Sequence, residues 1–339
     1  VRTCATASRV LSEPLAATAA TARTWLLIEQ PGPWGSKALT ESHLDPALGA
    51  ALDRAAAPHG VRVALIRRPG PHADRGEPHH RRIHLAHTAP GASWVLTRET
   101  AAGVDPVTSL PDMDFAALGA GIRAGAGPGW HDHRGDPLAL VCTNGKRDRC
   151  CALLGRPLAA ELAASAHADV WEITHIGGHR FSPTLLVLPY GYAYGRAAAH
   201  TVKAVLEAVR EGRVVTEGCR GRSVWDRPGQ AADLAVRETT GEQQADALDV
   251  VDVQDVDEAS EGSGGQRWAA TVVHRDGRRW QVHIAAVADD APQAAPSCGA
   301  ALGLPPQMRV EAVEALVPVT AAPAGAPWAA GEGAERPAR

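Results

Sequence analysis

Between Pro137 and Glu211 the chain alternates short apolar runs with longer segments of helical period, and that order limits what it can fold into more than any other feature. Leu138 to Cys142 reads as a strand, Cys150 to Ala166 as a helix, Val170 to Thr174 as a strand and Thr184 to Pro189 as another. The turn-rich stretch Gly191 to Arg196 then leads into a helix over Ala197 to Glu211. Strand, helix, strand, then one or two strands and a closing helix is the element order of a thioredoxin-like α/β layer.

An earlier part of the chain gives the same order in looser form. Trp25 to Gln30 is a buried-strand run closed by Pro31-Gly32-Pro33, and His43 to Ala57 carries Leu44, Leu48 and Leu52 on one helical face. Val61 to Ile66, Arg82 to His87 and Ser93 to Thr97 follow as strands. A helix over Asp114 to Ile122 then runs into the linker-like Gly125 to Gly129. The spacing predicts an internal duplication in which only the second copy keeps a site. After Pro228 the texture changes to a helix over Gln230 to Thr239 and a strand over Ala247 to Val253. A hairpin follows, Trp268 to His274 and Trp280 to Val287 around Arg275-Asp276-Gly277, and then a strand over Arg309 to Leu316. We therefore expect an α/β protein in four parts: a degenerate thioredoxin-like unit over 1–124, a thioredoxin-like unit with the site over 130–226, a small α+β region over 227–318 and a disordered tail over 319–339.

Composition removes several function classes. Lys plus Arg number 34 against 38 Asp plus Glu, a net charge of -4, which argues against a nucleic-acid binder living on phosphate attraction. Aromatic residues are only 4%, too few for a base- or sugar-stacking platform. No apolar run approaches the ~20 residues that cross a bilayer, so no membrane partner is expected. Val1 to Thr24 has the Ala/Thr/Ser/Arg content of an organelle transit peptide, but Pro14 interrupts any long amphipathic helix, and we expect a cytoplasmic protein. No carboxylate pair is singled out for glycosidic chemistry, and neither a G-x-S-x-G elbow nor a Walker loop occurs.

The six cysteines are too few and too clustered for a disulfide framework; Cys142, Cys150 and Cys151 fall within ten residues. Cys142 ends a strand and Cys151 opens the next helix, where the helix N-terminus together with Lys146, Arg147 and Arg149 favours thiolate. His175 and His179 leave another strand end with Gly177-Gly178 between them, and two glycines let the backbone turn tightly enough to bring both imidazoles to one point. Two thiolates and two imidazoles bind either one zinc ion or a [2Fe–2S] cluster. The H-x3-H pair suits zinc, whereas cysteines nine positions apart are wider than its usual spacing and suit a larger guest. Cys150 competes with Cys151 for the second thiolate position.

The combined motifs resemble those of the sucrase/ferredoxin-like family. The resemblance rests on Ser8-Arg9 with Glu13-Pro14-Leu15, Thr24 to Glu29, Cys142 to Cys151, His175-Ile-Gly-Gly-His179, and Tyr194-Gly195-Arg196. It implies a thioredoxin-like ferredoxin domain with a bis-histidinyl, non-Rieske [2Fe–2S] cluster held on the C-x8-C and H-x3-H pairs. That carries the ligand role to Cys142, Cys151, His175 and His179. The protein expected from it is a one-electron carrier, more an electron-transfer protein than a catalyst, serving redox donor and acceptor proteins yet to be identified. Histidine in place of thiolate raises the potential, the Rieske precedent spanning roughly -150 to +300 mV, and an imidazole N–H couples reduction to proton uptake. Two other readings stand beside this one: a zinc-stabilised thioredoxin-like binding module, and a thiol oxidoreductase using Cys150 and Cys151.

The remaining features are expected to be structural. Cys219 and Cys298 read as ordinary thiols and Cys4 as a terminal one. His72, His79, His80, His84 and His87 read as an Arg-rich solvated stretch, Trp130-His131-Asp132-His133 as a surface turn, and Arg220 with Arg222 as a solvated basic turn. Tyr190, Tyr192, Tyr194 and Arg196 either line the cluster or pack the strand-turn-helix. Gly119 to Ala124 matches the dinucleotide fingerprint, but it follows a helical segment instead of a strand.

Overall fold

Leu138–Cys142 is buried along its whole length, and Thr24–Glu29 is buried at every residue but the last, so both runs must lie inside a sheet covered on two faces. The computed structural model describes residues 3–70, 81–99, 106–165, 169–256, 266–287 and 293–316. In chain order the elements are α1 (Cys4–Val10), β1 (Thr24–Glu29), α2 (Pro46–Ala56), β2 (Val61–Arg67), β3 (Arg82–His87), β4 (Trp94–Glu99), α3 (Phe115–Gly119) and β5 (His131–Asp132). There follow β6 (Leu138–Cys142), a π turn over Cys151–Gly155, α4 (Arg156–Ala163), β7 (Asp169–Ile173), β8 (Leu185–Leu188), β9 (Tyr192–Tyr194), α5 (Ala199–Arg210) and β10 (Cys219–Arg222). The chain ends in α6 (Arg227–Thr240), β11 (Leu248–Asp255), β12 (Arg267–His274), β13 (Arg279–Val287) and β14 (Gln307–Leu316).

Ten strands form one mixed sheet in the order β10-β9-β8-β6-β7-β2-β1-β3-β4-β5. The order β4-β3-β1-β2 recurs as β9-β8-β6-β7, with the same senses: β1 and β2 are parallel, as are β6 and β7, and the other neighbours within each set are antiparallel. The fold is thus α/β of thioredoxin-like type. The two sets meet where β2 runs antiparallel to β7, with Ile66 opposite Ile173 and Arg67 opposite Glu172. Arg67 donates to Glu172 at 2.7 Å and lies 4.1 Å over the Trp34 ring, so the junction carries a buried ion pair. The last four strands make a separate antiparallel sheet, and α6 lays Ala231, Ala232 and Val236 against Leu248, Val272, Val282 and Ile284 of that sheet.

Several local expectations are corrected. The helix expected from His43 starts at Pro46, because the Asp45 side chain accepts from the N–H of Ala47 and Leu48 and caps it there. The helix expected over Cys150 to Ala166 opens as the π turn, and α4 ends at Ala163. The Gly191 to Arg196 stretch contains β9, whose three residues are buried. Gly125 to Gly129 is not a free linker: Asp114 N–H donates to the Gly125 carbonyl and Ala126 is buried. His131 and Asp132 pair with β4 as an exposed edge strand. His84 and His87 lie on β3 and are buried, not solvated, with His84 Nδ1 2.9 Å from Thr97 Oγ1 and His87 Nδ1 2.8 Å from Thr24 Oγ1. His72, His79 and His80 and the tail expected over 319–339 lie outside the described residues.

Candidate metal centre

The site forms where β6 and β7, parallel neighbours, end side by side. Cys142 is the last residue of β6; its N–H donates to Thr184, and the paired strand places Ile173 opposite it. From there the loop Thr143 to Arg149 carries the exposed Lys146, Arg147 and Arg149, and Cys151 begins the π turn that brings the chain back over the strand end. Gly155 makes that return path narrow, since a Cβ there would collide with the Cys142 carbonyl. Beyond β7, Thr174 is anchored to β2: its N–H donates to the Leu65 carbonyl at 2.9 Å and its hydroxyl accepts from Leu65 N–H at 3.1 Å. Arg62 donates to the His175 carbonyl at 2.9 Å. Gly177 and Gly178 both take left-handed backbone (φ +80° and +71°), which folds the loop back so that His179 returns beside His175.

The sulfurs of Cys142 and Cys151 and a ring nitrogen of His175 all lie within 4.8 Å of one another. His179 is outside that group of three but adjoins it, its ring 4.7 Å from that of His175 and tilted by 31°. Nδ1 of both histidines is buried and has no hydrogen-bond partner among the described residues. Two neighbouring imidazoles with buried, unpartnered nitrogens, set against two thiols, are a donor set that fits a metal ion. Cys150, adjacent to Cys151 in sequence, faces the opposite way and meets Cys4 and Cys298.

The electrostatics favour ligation. Cys142 is held well below the ordinary thiol range: the Cys151 thiol donates to it, His175 and the Ile176 N–H add to the effect, and together they outweigh burial. Cys151 is pushed upward by the same hydrogen bond and by burial, so of the two sulfurs Cys142 is the one that gives up its proton more readily. Burial and the neighbouring His175 hold His179 below its usual range, in the neutral form that coordinates metals.

Some residues around the site were not legible as functional. Arg220 and Arg222 were expected in a solvated turn, yet both are completely buried on β10 because each guanidinium finds backbone carbonyls. Arg220 donates to the carbonyls of Thr18 and Gly177 and to Thr18 Oγ1, locking the histidine loop from below. Arg222 donates to Thr88 and Ala245 and pairs with Asp246, away from the site. Tyr192 and Tyr194 belong to the packing of the sheet, their hydroxyls donating to Asp233 and to the Val215 carbonyl. Arg196 binds Ser8 and the Glu13 carbonyl and so fastens the N-terminal segment. Cys4 is buried on α1, not a loose terminal thiol, and all six cysteines are free.

Residues 15–221, well over half of the chain, match the family model described as Sucrase/ferredoxin-like, and the chain belongs to that family. Among curated proteins it is similar to Altered inheritance of mitochondria protein 32 of Meyerozyma guilliermondii, with 28% identity over 97 residues, 25% of this chain and 34% of that protein. The match thus spans about a third of the length of that relative. No solved structure matches.

Proposed function

We propose that this member of the sucrase/ferredoxin-like family is a one-electron carrier whose [2Fe–2S] cluster is held by Cys142, Cys151, His175 and His179. The observation that supports this reading most strongly is the convergence of two sulfurs and an imidazole within 4.8 Å, with a second imidazole beside them and both Nδ1 atoms lacking partners. Such a cluster, when bound, accepts and returns a single electron. Cys142 and Cys151 would lose their thiol protons on ligating, and one ring nitrogen of each histidine would supply the remaining donors. The other nitrogen of each ring then keeps an exchangeable proton, and both rings are only partly buried. Lys146, Arg147 and Arg149 surround the approach with positive charge that favours the more negative, reduced state and would attract acidic partner surfaces. Donor and acceptor proteins of that kind, acting in the cytoplasm where free thiols persist, complete the reading. No described helix is long and apolar enough to cross a membrane.

Anaerobic purification with iron and sulfide quantification tests the proposal. The expected result is a coloured protein with two irons and two sulfides per chain, in which Cys142→Ser abolishes the colour and Cys150→Ser preserves it. The midpoint potential should fall with rising pH between pH 6 and 10. A colourless protein with zinc bound at these residues would replace this reading with that of a zinc-stabilised binding module, and a potential independent of pH would remove the proton coupling.

A further inference from the structure

A second group of sulfurs lies on the far side of the Cys150-Cys151 pair. Cys4 begins α1, Cys150 precedes the π turn, and Cys298 belongs to the segment between β13 and β14. Their Sγ atoms form a near-equilateral triangle with sides of 3.4 Å (Cys4 to Cys150), 3.1 Å (Cys150 to Cys298) and 3.5 Å (Cys298 to Cys4). The Asp148 carboxylate closes the figure, with its oxygens 3.7 and 3.9 Å from the Cys4 sulfur, and the four donors all fall within 4.8 Å of one another. Cys4, Asp148 and Cys150 are buried; Cys298 is partly so.

This geometry selects among the chemistries open to thiols. A disulfide needs sulfurs at about 2.05 Å and consumes them in pairs, so it leaves one member of a triangle unused. A polynuclear cluster spreads its ligands over several metal atoms and separates them further. One tetrahedral ion with metal–sulfur bonds of about 2.3 Å sets its sulfurs about 3.8 Å apart, so the sides of the observed triangle need to open by about 0.3 to 0.7 Å. The carboxylate is already oriented: Oδ1 accepts from the Cys150 N–H and Oδ2 from the Cys298 N–H, both at 2.8 Å, and each oxygen keeps a further lone pair. These two bonds gather the loop that bears Cys150 and the segment that bears Cys298 around one point. Three soft sulfurs with one oxygen suit zinc, and a set of four protein donors leaves no open position for substrate. The same loop supplies Lys146, Arg147 and Arg149, whose charge offsets the excess negative charge of such a site.

We infer that Cys4, Asp148, Cys150 and Cys298 form a structural zinc site, separate from the donor set of Cys142, Cys151, His175 and His179. The ion would tie the N-terminal helix and the segment following β13 to the loop that shapes the other centre. Adjacent cysteines on one turn would then serve two different metals. The inference does not depend on which guest the other centre holds.

Metal analysis of the full chain, freshly purified without chelator, is the test. Wild type is expected to hold one zinc per chain in addition to whatever the other centre binds. Cys142→Ser should keep it, whereas Cys298→Ser should lose roughly tenfold or more of it, with circular dichroism used to check that each variant is folded. Cobalt(II) added to the zinc-stripped chain should give the thiolate-to-cobalt and tetrahedral ligand-field bands, in wild type and Cys142→Ser but not in Cys298→Ser. Should Cys298→Ser not fold, the comparison of wild type with Cys142→Ser still decides. Absence of zinc and of cobalt bands from both would overturn the assignment, as would zinc that disappears with Cys142. A Cys150–Cys298 disulfide in metal-free protein, seen by intact mass under non-reducing conditions, would overturn it as well.

Discussion

Alanine at Gly178 should damage the protein more than alanine at Gly177, although both glycines occupy left-handed backbone in the same loop. An L-residue in that conformation costs roughly 1–2 kcal/mol. At Gly177 nothing further is added, because the nearest neighbour of a new Cβ is Ala20 Cβ at 3.7 Å, an ordinary contact. At Gly178 the Cβ would stand 2.5 Å from Arg220 Cζ and 2.9 Å from Nη1. Arg220 is fully buried and held by the carbonyls of Thr18 and Gly177, so it cannot swing away cheaply, and overpacking of this kind costs about 1–3 kcal/mol more. Urea unfolding should therefore show Gly177→Ala destabilised by about 1–2 kcal/mol and Gly178→Ala by about 2–5 kcal/mol. His179 follows Gly178 directly, so the iron expected from the proposed function should also fall further in Gly178→Ala. Arg220→Met shortens the offending group; although it is costly alone, the double variant should be less destabilised than the sum of the two single changes, by about 1–3 kcal/mol. Equal effects at the two glycines, or additivity with Arg220→Met, would refute the claim that Arg220 sets the position of the histidine loop.

Acid should weaken the fold through β3. Burial, helped by His133 and Arg82, lowers His84 to about 3, and burial with Arg23 and Arg222 lowers His87 to about 4. Below the unfolded value of about 6.5 the unfolded chain binds protons that the folded one refuses, so stability falls as pH falls, on the order of 2 kcal/mol per histidine between pH 6.5 and 5. Urea midpoints across that range should show the loss, and His84→Phe should flatten the slope; an unchanged slope would contradict the assignment. Asp233→Ala strands Arg237, its partner at 2.9 Å with both side chains wholly buried, and should cost about 3–5 kcal/mol in the same assay, a loss below 1 kcal/mol being incompatible with the pair's role.

How much of this could be read from the sequence depended on whether the signal was local. The strand Leu138 to Cys142 coincides with β6 because five consecutive apolar residues between Asp136-Pro137 and Thr143-Asn144 have few alternatives to a buried strand. The Gly177-Gly178 turn was legible for a similar reason, since two adjacent glycines between histidines mark a backbone that must reverse. β10 was not: Cys219-Arg-Gly-Arg222 has one small apolar residue, and its two arginines are buried because distant carbonyls on Thr18, Gly177, Thr88 and Ala245 satisfy their guanidiniums. α1 is seven residues long, fixed by the Thr3 cap and by tertiary contact, and so escapes any periodicity test. The grouping of Cys4, Cys150 and Cys298 was equally hidden, because ligand spacing is informative within a loop and silent across almost three hundred residues.

The half of the sheet formed by β1 to β5 has its own part in the centre. Residues 5–141 contain no cysteine, so that half cannot hold a thiolate-ligated guest of its own. Yet β7 is the last of the four strands β9-β8-β6-β7, and on its outer side the backbone around Thr174 would face water if the sheet stopped there. β2 supplies what is missing: Leu65 exchanges hydrogen bonds with Thr174, Arg62 fixes the carbonyl of His175, and Arg67 binds Glu172, which also accepts from the Thr143 hydroxyl one residue beyond Cys142. Both limbs of the donor set, the cysteine strand end and the histidine loop, are therefore braced from the same neighbouring strand. A sheet of ten strands built around this junction gives a rigid floor to a site whose donors sit at a strand end and in the turns that follow the strands. That rigidity is what the proposed electron carrier would need for its ligands to keep their positions when the charge of the centre changes.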